Sequence, residues 1–363
     1  MTRHRKRVQE KSSLPSTKRR RLMLKQERAV TQGANEALEG ASYQSGIGLT
    51  VDADVEHLPE AVPQGNFKPV PAGENTTFIV FDLETTDLVR GGKYPHITQI
   101  AASVVGSVSE FSAYVYPKVP IASTAQQITG IIVNNSGTMT VHGQQVHAED
   151  LYSSIDKFCK WLKKYPSVYL IAHNGRKFDF PVLMNAMMNI KREAEFLDCV
   201  TGCIDSLNVF KKAFTSQSYK QEDLARTILN TTYDAHNAME DVKVLGKLIS
   251  HTRFDATKMC IHSFPPSAVI NQIKYNREKA KNVTSLHLLV GKGILKMSTA
   301  EKVAGSGLNL GHLKKIYERE GEDGLRNIFS CKNREGQPRV TNIKKTLEEI
   351  MPKLGQFFSS CDS

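Results

Sequence analysis

Two acids separated by one residue, Asp82 and Glu84, close a β-branched and aromatic run, Thr77-Phe78-Ile79-Val80-Phe81. In an extended chain, residues i and i+2 point to the same face, so the two carboxylates project side by side. Burying two like charges together is costly unless cations neutralise them. Acid pairs at strand ends are common, so the pair needs company to carry meaning. A third acid, Asp179, stands in His173-Asn174-Gly175-Arg176-Lys177-Phe178-Asp179-Phe180-Pro181, at the mouth of an expected helix. A fourth, Asp241, lies five residues after His236 in Ala235-His236-Asn237-Ala238-Met239-Glu240-Asp241-Val242. Five residues turn a helix through about 500°, so the two cannot share one helical face. They meet only if His236 lies in the preceding loop and Asp241 one turn inside the helix.

The surrounding pattern supplies elements to hold these groups. Residues 77–81 read as a buried strand, with further strands at 96–105 and 111–116 separated by Gly106-Ser107. A helix is expected over 147–164, its apolar stripe being Leu151, Ile155, Phe158 and Leu162. A strand at 168–172 precedes a helix at 180–190 with Pro181 in its first turn. A short strand at 203–207 and helices near 208–214, 220–229 and 237–250 complete the middle of the chain. Three strands followed by alternating helix and strand predict an α/β fold, a mixed sheet with helices packed on its faces. Residues 1–75 read as a disordered basic tail and linker, poor in aromatic residues and ending in Pro63, Pro69 and Pro71. Residues 253–363 show almost no strand pattern. They read as a small helical extension joined through Phe264-Pro265-Pro266, with helices such as 310–319 and 343–354 punctuated by glycine.

Asp82, Glu84, Asp179 and Asp241, with His236 in the H-x4-D spacing, resemble the three motifs of the DEDDh 3′→5′ exonucleases across about 170 residues, Thr77 to Leu248. The segment His173 to Pro181, the Ile128-Thr129-Gly130 loop and Ile204-Asp205-Ser206-Leu207 are most similar to the three-prime repair exonuclease branch. They are similar too to the exonuclease-like domain of promyelocytic leukaemia protein and its animal homologues. Thr85 stands where that family usually has a small residue, and Asp87 where glycine is common. The resemblance implies an RNase H-like fold over 76–252. It implies 3′→5′ exonuclease activity releasing nucleoside 5′-monophosphates from DNA ends, with RNA trimming as the alternative substrate choice. Because the acid set is complete, activity is expected; a nucleic-acid-binding or scaffold protein with a vestigial exonuclease fold is the competing class.

Four carboxylates carry four negative charges, which suits two divalent cations about 4 Å apart. Hard oxygen ligands without thiolate indicate Mg²⁺, with Mn²⁺ as a substitute, rather than zinc. Asp82, Glu84, Asp179 and Asp241 are the expected metal ligands and His236 the general base. Leu83 and Phe178 are candidates to sandwich the terminal nucleotide, with Glu84 and the Thr85 backbone at its 3′ end and Ile128 as a wedge. Each of these has a plainer alternative in packing.

Net charge is +11, unevenly placed. Residues 1–30 contribute +9, residues 31–75 contribute −6, residues 76–252 are neutral and residues 253–363 contribute +8. Basic flanks around a neutral middle suggest a polyanion, a nucleic acid with a free 3′ end, gripped from outside the site. Lys314, Lys315, Lys344 and Lys345 are candidate contacts in the C-terminal part. Lys18-Arg19-Arg20-Arg21 is a nuclear-import type cluster, predicting a nuclear protein that can also be cytoplasmic. Six cysteines without a Cys-x-x-Cys pair fit reduced thiols. With no apolar run approaching the roughly 18 residues of a span, a membrane or secreted protein is not expected. The three-prime repair resemblance also implies a homodimer formed through a sheet edge.

Overall fold

A computed structural model describes residues 58–216 and 218–360, all within one compact unit. The import cluster at 18–21 lies outside the described residues. The chain builds β1 (Thr77–Thr85), β2 (Ile97–Val104) and β3 (Glu110–Val115), then α1 (Ser123–Thr129) and the short strands β4 (Ile131–Val133), β5 (Met139–Val141), β6 (Gln144–Gln145) and β7 (Ala148–Glu149). There follow α2 (Leu151–Leu162), β8 (Val168–Ala172), α3 (Asp179–Asn189), α4 (Glu193–Cys199) and β9 (Gly202–Asp205). Next come α5 (Ser206–Ala213), α6 (Gln221–Ile228), α7 (Ala238–His251), α8 (Ala256–Cys260), β10 (Ser263–Phe264) and α9 (Pro266–Asn282). The remainder is helical: α10 (His287–Gly291), α11 (Met297–Gly305), α12 (Leu310–Ser330) and α13 (Lys344–Ser359).

Seven strands form one mixed sheet in the order β10-β9-β8-β1-β2-β3-β7. β1 pairs antiparallel with β2 and parallel with β8, which puts the first strand at the centre. One face carries Ile79, Phe81 and Leu83 into a core with Phe158 and Leu162 of α2 and Phe180 and Leu183 of α3. The other carries Val80, Tyr169 and Ile171 into a core with Phe210, Leu224, Val242 and Leu245 of α5, α6 and α7. The α2 stripe is buried as its spacing predicts, but Ala148 and Glu149 belong to a strand and Asp150 caps the helix, accepting from the Ser153 amide at 3.0 Å. A separate three-stranded sheet, β4-β5-β6, was not legible in the sequence.

Two expected boundaries move. Residues 58–75 are not a free linker. Phe67 packs edge-on to Phe264 at 5.3 Å, Tyr169 Oη donates to the Pro71 carbonyl at 2.7 Å, and Ser263 Oγ accepts from the Val70 amide at 2.9 Å. Further upstream, buried Arg339 donates to the Pro59 carbonyl at 2.8 Å, and the Val62 amide donates to Ser306 O at 3.3 Å. Prolines that resemble a linker in composition instead hold an extended strap on which Val62, Phe67 and Val70 are half-buried. The boundary expected at 252/253 also falls inside a folded body. β10 extends the sheet beside β9, and Phe264, Val269, Ile270 and Ile273 enter the same core as α2 and α3. A second core starts at Leu286 and unites α10 to α13 through Leu313, Phe329, Leu347 and Leu354. Within α12, Gly321 adopts φ +62° and ψ −150°, breaking the helix in two, a conformation suited to glycine.

Candidate active site

Strand alternation sets the acids apart from the core. Asp82 and Glu84 continue the register of Val80, so they stand on the α7 side of the sheet while Leu83 turns to the opposite core. Asn237 caps α7 by accepting from the Met239 amide at 3.1 Å, and Asp241 falls in the first turn. The result is that Asp82, Glu84 and Asp241 offer carboxylate oxygens all within 4.8 Å of one another. Asp179 opens α3 and is only 4% exposed. It lies outside that trio, but its charge acts on both Asp82 and Glu84.

These acids resist one another's ionisation. Burial first, then the charges of Asp179, Glu84 and Asp241, hold the Asp82 carboxyl well above the ordinary range. Burial with the charges of Asp241 and Asp179 pushes Glu84 up to about 8. Asp179 is pushed up to about 7, chiefly by burial, against hydrogen bonds from its own and the Leu83 backbone amides. Asp241 is raised by burial and opposed by donors from Tyr233 and His236. Buried like charges of this kind make a site for positive charge. The donors are hard carboxylate oxygens, and among the described residues no cysteine joins the cluster, so the set fits Mg²⁺ or Mn²⁺.

His236 lies in the loop before α7 with φ +72°. Its backbone amide donates to Asp241 Oδ2 at 2.8 Å. The side chain is 55% exposed, and Nε2 sits 3.8 Å from Glu222 Oε1. Two residues that sequence reasoning missed hold Asp241 from the other side, Tyr233 and Gln221. No recurring spacing advertises them; they reach the acid because α6 packs beside α7. His173, to which the sequence assigns no role, is a structural pin between Ser206 Oγ and the Tyr219 carbonyl, each at 2.9 Å.

The substrate candidates divide. Leu83 is 4% exposed and belongs to the core, because alternation turns it away from the acids; it offers no stacking surface. Thr85 is buried and donates to the Asp87 carbonyl at 2.7 Å. Phe178 is half-buried at the start of α3, packed against the core. Ile128 is 52% exposed on α1, which is tied to the end of β1 by the Ala122 amide donating to Thr86 O at 2.9 Å. Of the C-terminal lysines, Lys314 pairs with Glu318 at 3.5 Å and Lys344 with Glu348 at 3.7 Å. Lys315 and Lys345 make no ion pair among the described residues.

A central mixed sheet carries an acid cluster between its first strand and α7, and the comparisons with known proteins bear on the same part of the chain. Residues 79–249 match the exonuclease family model RNase_T. Residues 282–360 match a second model, the C-terminal domain of PML, which coincides with the second core. Among curated proteins, the chain is 27% identical over 239 residues to the Arabidopsis thaliana exonuclease DPD1, chloroplastic/mitochondrial, covering 62% of this chain and 73% of that protein. It is 24% identical over 208 residues to human three-prime repair exonuclease 1, covering 48% of this chain and 63% of that one. Among solved structures, Escherichia coli exonuclease I with a dT13 oligonucleotide gives a TM-score of 0.40 at 18% identity, covering 50% of this chain and 42% of that one.

Proposed function

We propose that the chain is a metal-dependent 3′→5′ exonuclease that trims DNA 3′ ends to nucleoside 5′-monophosphates. The observation that carries this reading is the convergence of Asp82, Glu84 and Asp241 within 4.8 Å, with Asp179 electrostatically joined to them. Asp82, Glu84, Asp179 and Asp241 would hold two divalent cations, which supply an activated water and charge stabilisation for the departing 3′ oxygen. His236, exposed beside the cluster, would take the proton of that water as general base. Phe178, next to Asp179 in the chain, and the exposed Ile128 would contact the terminal nucleotide, with the backbone around Thr85 at its 3′ end. The homologous three-prime repair exonuclease supports the 3′ polarity, and the basic flanks support a polyanionic partner.

RNA trimming on the same fold is the second reading, and the test separates them. DNA and RNA oligonucleotides of one sequence, labelled at the 5′ end, are digested side by side with Mg²⁺ and with chelator. Stepwise shortening of DNA from the 3′ end, Mg²⁺-dependent and faster than RNA, is expected. Faster loss of RNA would reassign the substrate. The import cluster would place the protein in the nucleus. A homodimer would form on β3, whose outer edge is covered by β7 only at Tyr114 and Val115.

A further inference from the structure

Asp241 is held more fully than the other acids. Its Oδ1 accepts from the Tyr233 phenol at 2.7 Å and from Gln221 Nε2 at 3.1 Å. The same Gln221 nitrogen lies 2.9 Å from the Asp241 carbonyl and 3.1 Å from Tyr233 Oη, so the two residues brace each other. Among the described residues Oδ2 accepts one bond, from the His236 amide at 2.8 Å. A carboxylate oxygen has two lone pairs. Oδ1 therefore meets the Tyr233 hydroxyl and shares the two Gln221 amide protons with the Asp241 carbonyl and Tyr233 Oη, whereas Oδ2 keeps one lone pair open.

We propose that Gln221 and Tyr233 are positioning residues that engage Oδ1 and present Asp241 to a divalent cation through Oδ2. The inference rests on the metal reading above. Its physical content is orientation. An acid in the first turn of a helix can rotate about its side-chain bonds, and two donors from α6 and the α6–α7 loop remove that freedom. Because Tyr233 and His236 lie in one loop and both bind Asp241, the clamp also fixes the segment carrying the histidine to α7.

The test is Mn²⁺ binding to the metal-free full-length chain, followed by calorimetry without substrate, in Tyr233→Phe, Gln221→Leu and the double variant. Each single change should weaken Mn²⁺ about tenfold, as loss of a ligand-orienting hydrogen bond does. The double variant should lose less than the product of the two, since both donors serve one oxygen. Melting in chelator should scarcely move, and the Mg²⁺ concentration for half-maximal hydrolysis should rise. Wild-type Mn²⁺ affinity in folded Tyr233→Phe and Gln221→Leu overturns the proposal. Should Tyr233→Phe fail to fold, Gln221→Leu, half-buried at the start of α6, decides alone. A wild-type chain that binds no Mn²⁺ would overturn the metal reading and this role with it.

Discussion

Without a cation the acid cluster should make the protein less stable as pH rises, opposite to the usual behaviour of paired carboxylates. Glu84 carries the calculation, because its carboxyl moves from 4.5 to about 8. Below pH 4.5 the folded and unfolded chains both hold the proton, and its contribution to stability is fully present. Between there and about 8 the unfolded chain releases the proton while the folded one keeps it, so stability falls with pH until the folded group itself ionises. Each pKa unit is worth about 1.36 kcal/mol, which sets a ceiling of roughly 5 kcal/mol for this shift. Relaxation around a charge reduces such penalties, and about 2 kcal/mol is a reasonable working value. In a folded body of about 300 residues that lowers the melting temperature by about 3 °C. Burial lowers the pKa of His173 and His312, which acts in the opposite sense below their ordinary range, so a bare pH series mixes both effects. Glu84→Gln cancels the histidines. In chelator, the variant should melt progressively higher than wild type from about pH 5 to about pH 8.5, and saturating Mg²⁺ should raise wild type at the alkaline end. A difference independent of pH would refute the reasoning.

Four further outcomes follow from the architecture. Asp241→Asn should nearly abolish hydrolysis while DNA binding, measured with Ca²⁺ by anisotropy, survives; wild-type turnover would remove Asp241 from the site. A chain ending at residue 252 should not fold, since it loses the buried Phe264, Val269, Ile270 and Ile273. At about 1.5–3 kcal/mol each, these exceed or match a typical net stability, and circular dichroism would show the loss. Arg339→Met should cost about 2 kcal/mol, because Ser306 O and Pro59 O each lose a charged donor, at 3.1 and 2.8 Å; limited proteolysis should then cut within 58–75. Removing residues 1–30 should leave the rate on short oligonucleotides nearly unchanged and reduce nuclear accumulation, read by imaging a tagged chain.

The elements that carry the acids were legible because each has a strong local signal. The run 77–81 alternates into two cores, the α2 stripe repeats at three and four residues, and the five-residue gap between His236 and Asp241 required the loop-and-helix arrangement that the structure has. Contacts between distant segments left no such trace. Phe67 reads as a lone aromatic in a proline-rich stretch, yet it stacks beneath the Arg176 guanidinium at 3.9 Å and against Phe264. Helix α9 reads as part of a basic extension because Lys274, Arg277 and Lys279 dominate its composition, while Val269, Ile270 and Ile273 face the exonuclease core. Leu83 resembles a stacking residue by motif position, and only the sheet's second face shows that it is core. Gln221 and Tyr233 have no spacing that ties them to Asp241, since the connection is made by the packing of α6 on α7.

The central claim is that the cluster of Asp82, Glu84, Asp179 and Asp241 performs cation-dependent cleavage at a 3′ terminus. The most direct measurement is the product spectrum of a 5′-labelled DNA strand, with wild type and Asp82→Asn compared in Mg²⁺ and in chelator, and released nucleotides identified by chromatography. A descending ladder and nucleoside 5′-monophosphates are expected from wild type in Mg²⁺ alone, with none from Asp82→Asn. Cleavage that persists in chelator or in a folded Asp82→Asn, or products carrying a 3′-phosphate, would contradict it.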